Sequence, residues 1–201
     1  MGKHEIERRA VFLDRDGVIN KPVIREGKPY PPAEVNEFEV YEDVVAGVAR
    51  LDAAGFLVVV ITNQPDVARG KQTRAAVDAI HRKMLDTLPR IARLEVCWHA
   101  GANWGEPCNC RKPQPGMVLR AAKALNIDVS QSFLIGDRWR DIDCGHGAGC
   151  RTVFIDRNYS EQLEQPPDWS VHSFGQAVEV ILRAADVPAS KSDLRPTFKR
   201  R

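Results

Sequence analysis

The sequence predicts an α/β fold: a central parallel sheet with helices on both faces. Two observations lead there. Short apolar runs that read as strands alternate with segments of helical periodicity. Three of these runs end in polar residues: Asp14 and Asp16 after 10–13, Thr62 and Asn63 after 56–61, and Asp137 after 132–136. Sheets of this class bind ligands beyond the carboxyl ends of their strands. Three polar endings of this kind therefore mark a catalytic site as well as a fold.

The elements follow in order. Residues 10–13 are four apolar residues that run into Asp14, with Asp16 two places on. In an extended chain the two carboxylates share a side, where a cation or a retained proton would relieve their repulsion. Gly17 then permits a sharp turn. Residues 17–40 form a long connection; its Lys-Pro-Tyr-Pro-Pro run at 28–32 cannot be helical and is expected to be a semi-rigid loop. A helix is expected over 43–54, with Asp43 as N-cap, Val44, Val48 and Leu51 on one face and Gly55 as C-cap. Residues 56–61 are the strongest strand signal, apolar and β-branched. A second helix spans 73–88, capped by Thr73, with Val77, Ile80, Met84 and Leu88 inward. A short strand at 94–98, a helix over 116–126, the strand 132–136, a short helix at 141–148 and a strand at 151–155 follow. Ser173 caps a last helix that runs to 185.

A chain of 201 residues suits one domain, here 1–186, with a tail from 187 onward. Residues 187–201 hold Lys191, Arg195, Lys199, Arg200 and Arg201 against Asp193, a charge of +4, so the body is −2 within an overall +2. The body is not a nucleic-acid footprint. No apolar run is long enough to span a membrane, and the charged first nine residues lack a signal-peptide core. A cytoplasmic monomer without nucleic-acid or membrane partners is expected. Three of the five cysteines cluster with a histidine, which in a reducing compartment suggests a metal before disulfides.

The strand ends supply three acids, a hydroxyl with an amide, and Lys112 just before a helix, a good place for an anion. Asp14 and Asp137 can hold Mg²⁺, which takes few carboxylates and keeps some waters. The chemistry that fits is phosphoryl transfer to a carboxylate. Asp14 is assigned as nucleophile. Asp16 protonates the leaving alkoxide and then deprotonates the attacking water. Thr62, Asn63 and Lys112 stabilise the transferring oxygens. A phospho-accepting receiver domain is the alternative of another class. Asp16 argues against it, because a long-lived signal needs no built-in acid/base.

Asp14-Arg15-Asp16-Gly17, Thr62-Asn63-Gln64, Lys112 and Gly136-Asp137-x-x-x-Asp141 resemble the four motifs of the haloacid dehalogenase-like (HAD) phosphatases. The likeness spans about residues 10–155. It implies a Rossmann-like three-layer sandwich and a Mg²⁺ requirement. It also implies that Asp16 offers the metal its backbone carbonyl rather than its side chain, and that Asp141 supports the metal site.

Cys97-Trp98-His99 followed by Cys108-Asn109-Cys110 offers three thiolates and an imidazole, a common tetrahedral Zn²⁺ set. With four protein ligands the site would be closed and structural. It would fix an inserted loop that delivers Arg111 and Lys112. Unpaired buried cysteines beside a surface histidine are the bland alternative. Cys144 and Cys150 read as packing residues. Cys-x-His followed by Cys-x-Cys-Arg-Lys-Pro, with Ala68-Arg69-Gly70, resembles the HAD subgroup of D-glycero-D-manno-heptose 1,7-bisphosphate 7-phosphatases and histidinol-phosphate phosphatases. The resemblance favours a sugar bisphosphate as substrate, with histidinol phosphate or another small sugar phosphate as alternatives. It makes Arg15, Asn63, Gln64, Arg69, Arg111 and Arg138 candidate substrate contacts. Pro65-Asp66 departs from the Ser-Gly expected there, and Asp66 is expected to point away from phosphate or to alter substrate choice. No segment is long enough for a large cap domain, so the 21–36 loop and the zinc loop would roof the site.

Overall fold

A computed structural model describes residues 7–25, 28–101, 103–159 and 162–186. In chain order the elements are β1 (Ala10–Leu13), β2 (Val23–Arg25), β3 (Lys28–Tyr30), α1 (Val44–Ala53), β4 (Leu57–Asn63), α2 (Pro65–Ala68), α3 (Arg74–Thr87), β5 (Ile91–Cys97), α4 (Gly116–Leu125), β6 (Phe133–Gly136), α5 (Trp139–Ala148), β7 (Arg151–Ile155), β8 (Trp169–Val171) and α6 (Phe174–Asp186). Six strands form one parallel sheet in the order β5-β4-β1-β6-β7-β8. The chain leaves β1 in one direction through β4 and β5, then returns to its other flank with β6. The strand order thus reverses at β1, where such sheets open their ligand crevice.

Both faces of the sheet are buried, and strand periodicity divides the core in two. Val11, Leu13, Val58 and Val60 face α1, α3 and α6, packing with Leu51, Ile80, Met84 and Phe174. Phe12, Val59, Ile61 and Leu134 face α4 and α5, packing with Met117, Val118, Ala121 and Cys144. Cys144 and Cys150 lie in this second layer, where burial pushes their thiols upward, the first to about 12, as the packing reading expects.

The three-layer α/β expectation holds, and the differences are local. The proline-rich 28–32 run is not all loop: Lys28–Tyr30 pairs antiparallel with Val23–Arg25 in a separate two-stranded ribbon. Each strand of such a ribbon is an edge, so Pro29 lacks an N–H without breaking a central ladder. β5 starts earlier than expected, α5 begins at Trp139, and the short α2 and β8 carry too few residues to leave a periodic signal. Thr73 caps α3 as expected, accepting from Ala76 N–H at 3.1 Å. The tail from 187 lies outside the described residues, and no described helix is long and apolar enough to cross a membrane.

Asp43 departs from its expected role. It makes no side-chain cap to α1. Its Oδ2 accepts from the backbone N–H of Gly175 at 2.8 Å, in the first turn of α6, while Ser173 Oγ accepts from Gln176 N–H at 3.2 Å. A carboxylate there meets a free amide and the positive end of the helix dipole. The two helices can approach because Gly47 has no Cβ; one would stand 2.6 Å from the Phe174 ring. Asp43→Ala is expected to destabilise the fold by about 1 kcal/mol in denaturant unfolding, with Asp43→Asn recovering most of that loss. An Asp43→Ala variant as stable as the parent would remove this cap.

Candidate active site

The site is built at the carboxyl end of β1. Asp14 follows the strand and stays in register with β6, its N–H donating to the Ile135 carbonyl at 3.0 Å. Its Oδ1 lies 2.7 Å from Lys112 Nζ, and the same ammonium lies 2.8 Å from Asp141 Oδ1. Asp137, at the end of β6, completes the group: one carboxylate oxygen from each of Asp14, Asp137 and Asp141 lies within 4.8 Å of the others. Gly17 must be glycine here. Its φ is +87°, and a Cβ would stand 1.9 Å from Asp137 Oδ2.

Lys112 reaches this point because β4 holds its backbone. Asn63 accepts from Lys112 N–H at 3.1 Å and donates to the Lys112 carbonyl at 3.1 Å. Lys112 Nζ also donates to the Ile61 carbonyl at 3.0 Å. Asn63 therefore secures the lysine, a role beyond the phosphate contact expected of it.

Three buried carboxylates share one ammonium, and the electrostatics show the imbalance. Burial pushes Asp14 up to about 6, against the pull of Lys112, and its acidic neighbours push the same way. Burial, then Asp14 and Asp141, raise Asp137 well above the carboxylate range. Burial alone would lower Lys112, but Asp14 and Asp141 outweigh it and hold the amine charged. Asp137 Oδ1 is buried with no hydrogen-bond partner among the described residues. An overcharged acidic group with an orphaned oxygen suits a hard divalent cation such as Mg²⁺.

Asp16 stands apart from this cluster. Its carboxylate is gripped by Arg15, whose Nε and Nη2 lie 3.1 and 3.0 Å from Oδ1, with Nη2 also 2.9 Å from Oδ2. Gln64 Nε2 donates to Asp16 Oδ2 at 3.1 Å and to Thr62 Oγ1 at 2.8 Å. The Thr62 hydroxyl accepts there, so its own proton can go to a ligand. Arg15 and Gln64 thus hold the Asp16 carboxylate, while its charge still reaches Asp14 and helps to raise it. Arg15 is fully buried and turned onto Asp16 and His81, an internal clamp where a substrate contact was expected.

The other candidates sit on the surrounding loops. Arg69 donates to the Ala100 carbonyl and lies over Trp104, its guanidinium carbon 5.5 Å from the ring centre. Arg111 approaches the same turn, and a Cβ on Gly101 would meet Arg111 Nε at 3.3 Å and Arg69 Nη2 at 3.5 Å. Burial and the charge of Arg69 lower the Arg111 pKa, the mark of two guanidinium groups held close. Asp66 is turned toward Arg69, 3.7 Å away. Arg138 precedes α5 and lies over Tyr159, its guanidinium carbon 4.5 Å from the ring centre. Sequence reasoning missed Arg157, whose Nε donates to the Gly17 carbonyl at 2.8 Å, and no local signal marked it. It also missed His81, although a histidine four places after Val77 on an inward helix stripe was a visible cue.

Cys97, His99, Cys108 and Cys110 converge as their spacing predicts. The sulfur atoms lie 3.4 to 3.8 Å apart, and His99 Nδ1 lies 3.6 Å from Cys97 Sγ and 3.3 Å from Cys110 Sγ. Zn–S bonds of about 2.3 Å in a tetrahedron imply sulfur pairs about 3.8 Å apart, so the group needs little adjustment to close on zinc.

Residues 109–177 match the HAD-hydrolase-like family model. The D-glycero-beta-D-manno-heptose-1,7-bisphosphate 7-phosphatase of Escherichia coli (strain K12) is 31% identical over 183 residues, covering 86% of this chain and 93% of that protein. The protein of the same name from Pasteurella multocida (strain Pm70) is 35% identical over 155 residues, covering 74% and 81%. Among solved structures, the D,D-heptose 1.7-bisphosphate phosphatase from B. bronchiseptica complexed with magnesium and phosphate matches with a TM-score of 0.75 at 28% identity, over 88% of this chain and 99% of that one. These likenesses favour neither the receiver domain nor histidinol-phosphate phosphatase. With its strand-end acids, lysine and fold, this chain belongs to the HAD phosphatases, hydrolases of phosphoric monoesters, in the family of the heptose bisphosphate phosphatases.

Proposed function

We propose that the chain removes the 7-phosphate of D-glycero-D-manno-heptose 1,7-bisphosphate through an aspartyl-phosphate on Asp14. The observation that carries the reading is the Asp14–Lys112–Asp141 arrangement at the tip of β1, in a chain that spans nearly the whole length of relatives with that name. An Asp14 carboxylate oxygen attacks phosphorus, and the bond from phosphorus to the sugar oxygen breaks. Asp16 gives its proton to that oxygen, then takes one from the water that attacks the phosphoenzyme, returning Asp14 and inorganic phosphate. Lys112 Nζ and the Thr62 hydroxyl stabilise charge on the transferring oxygens.

Asp14, Asp137 and the Asp16 backbone carbonyl would hold Mg²⁺, with Asp141 in support. The cation supplies charge neutralisation, without which an anionic substrate is repelled by the carboxylates. Cys97, His99, Cys108 and Cys110 would hold a structural Zn²⁺ that stiffens the loop before Arg111 and Lys112. Arg69 and Arg111, paired at Gly101, are suited to the second phosphate of a bisphosphate. Thiolates kept free for zinc fit a reducing cytoplasm, and a monomer suffices for every role assigned here.

A phosphate-release screen tests the substrate: both heptose bisphosphate anomers against histidinol phosphate and simple sugar phosphates. A heptose bisphosphate is expected to turn over fastest, and a clear preference for histidinol phosphate would overturn the assignment. Asp14→Asn should lose about 10³-fold or more in kcat with an unchanged thermal melt. Asp16→Asn should slow turnover or accumulate phosphoenzyme, and wild-type rates there would remove its acid/base role. Metal analysis should find about one zinc per chain. Cys108→Ser should release it and lower the melting temperature, while zinc-free wild-type protein would end that part of the reading.

A further inference from the structure

We propose that His81, on α3, is a positioning residue for the acid/base step: it accepts a hydrogen bond from Arg15 and so aims the guanidinium that holds Asp16. The inference rests on the acid/base role of Asp16 proposed above and adds to it a residue outside the four motifs.

Three of the Arg15 nitrogen contacts go to Asp16, and Nη1 lies 3.0 Å from His81 Nε2. A guanidinium only donates, so the proton in that contact belongs to Arg15. His81 Nε2 is then the bare ring nitrogen, and the ring is neutral with its proton on Nδ1. A protonated ring would set two cations against each other away from water. Burial, then the charge of Arg15, push His81 down to about 4, while Asp16 and Asp78 oppose this and Arg74 reinforces it. The ring is itself held in place. It meets Trp98 edge to face at 6.1 Å, and the Arg74 guanidinium carbon lies 3.7 Å from the centre of the Trp98 ring.

A chain of contacts thus runs from the end of β5 through α3 into the site: Trp98, His81, Arg15, Asp16. Its far end is partly open, since the Asp16 side chain is 24% exposed while that of Arg15 is 1% exposed. Asp16 must offer a proton at one place and accept one at the same place later in the cycle. The Arg15 fork and Gln64 fix that place. Without an acceptor at residue 81, Nη1 becomes a buried donor with no partner, and the guanidinium gains by turning toward another acceptor. The fork then leaves Asp16, and small misplacements of a catalytic group are costly in rate.

The test uses the full chain with magnesium, assayed on D-glycero-β-D-manno-heptose 1,7-bisphosphate and on simple sugar phosphates, whose alkoxide leaving groups also need a proton, so that a wrong choice of sugar does not blur the result. His81→Met fills the space but accepts no strong hydrogen bond; His81→Gln places an amide oxygen near the lost Nε2. His81→Met is expected to lower kcat by about 10- to 100-fold with KM changed less than about threefold, and His81→Gln to recover most of that loss. Wild-type kcat in His81→Met, or equal losses in both variants, would make His81 a packing residue and overturn the proposal. Should His81→Met fail to fold, Arg15→Lys carries the test, because it keeps the charge and loses the fork. Its kcat should fall by a similar factor, and adding His81→Gln should cost nothing more; losses that multiply would show the two residues acting separately. Asp16→Asn separates this inference from the one beneath it. Wild-type kcat in that variant removes the acid/base reading itself, whereas a slow Asp16→Asn beside a normal His81→Met removes only the role of His81.

Discussion

The structure depends on one buried charge balance at the end of β1. Lys112 Nζ lies between Asp14 and Asp141, and all three side chains are nearly closed off from solvent. A buried pair of this kind adds little net stability, because desolvation offsets the attraction. Removing the ammonium is another matter, since it leaves buried carboxylates uncompensated, whereas neutralising Asp14 leaves Lys112 paired with Asp141. The ammonium therefore has to be delivered accurately, and much of the surrounding architecture serves that delivery. Even with Lys112 charged, three carboxylates leave the group negative. That excess suits the site to a divalent cation and, through the cation, to an anionic ester.

Delivery works through backbone-directed contacts more than through the motif side chains themselves. Asn63, at the end of β4, holds both the N–H and the carbonyl of Lys112. Gln64, next in sequence, spans Thr62 and Asp16. The Thr-Asn-Gln run is thus a frame that fixes a lysine from a distant loop and an acid from the first strand. The cysteine cluster adjoins the same lysine in the chain, with Cys110 two residues before it. A zinc ion there would tie the loop's two ends together without touching the chemistry. The same economy appears outside the site, where Asp43 follows the first strand's loop and secures the start of α6, 132 residues away.

Much of the fold was legible because its signals are local or periodic. β1, β4 and β6 announce themselves as apolar runs, and Thr73 before α3 is a cap whose partner lies three residues ahead. The cysteine and histidine spacing also predicts its own convergence, since short pairs at two ends of one loop have few other ways to meet. The elements that escaped are short. β8 has three residues and α2 has four, below the length at which a period can be seen. β2 and β3 were hidden by prolines that forbid a helix but tolerate an edge ribbon.

The sequence by itself determined the chemical inventory: which acids, which amine, which thiols, and on which strand ends they would sit. Those statements need only the order of residues and the periods of helix and strand. The tertiary structure alone decided what each group spends its hydrogen bonds on. Arg15 reads from the sequence as a cation for substrate and is in fact enclosed between Asp16 and His81. Asn63 reads as a phosphate donor and in the fold also holds the backbone of Lys112. The reason is that a polar side chain taken out of water must find partners in the folded chain, and those partners lie tens of residues away, set by the packing of whole elements rather than by any neighbouring residue.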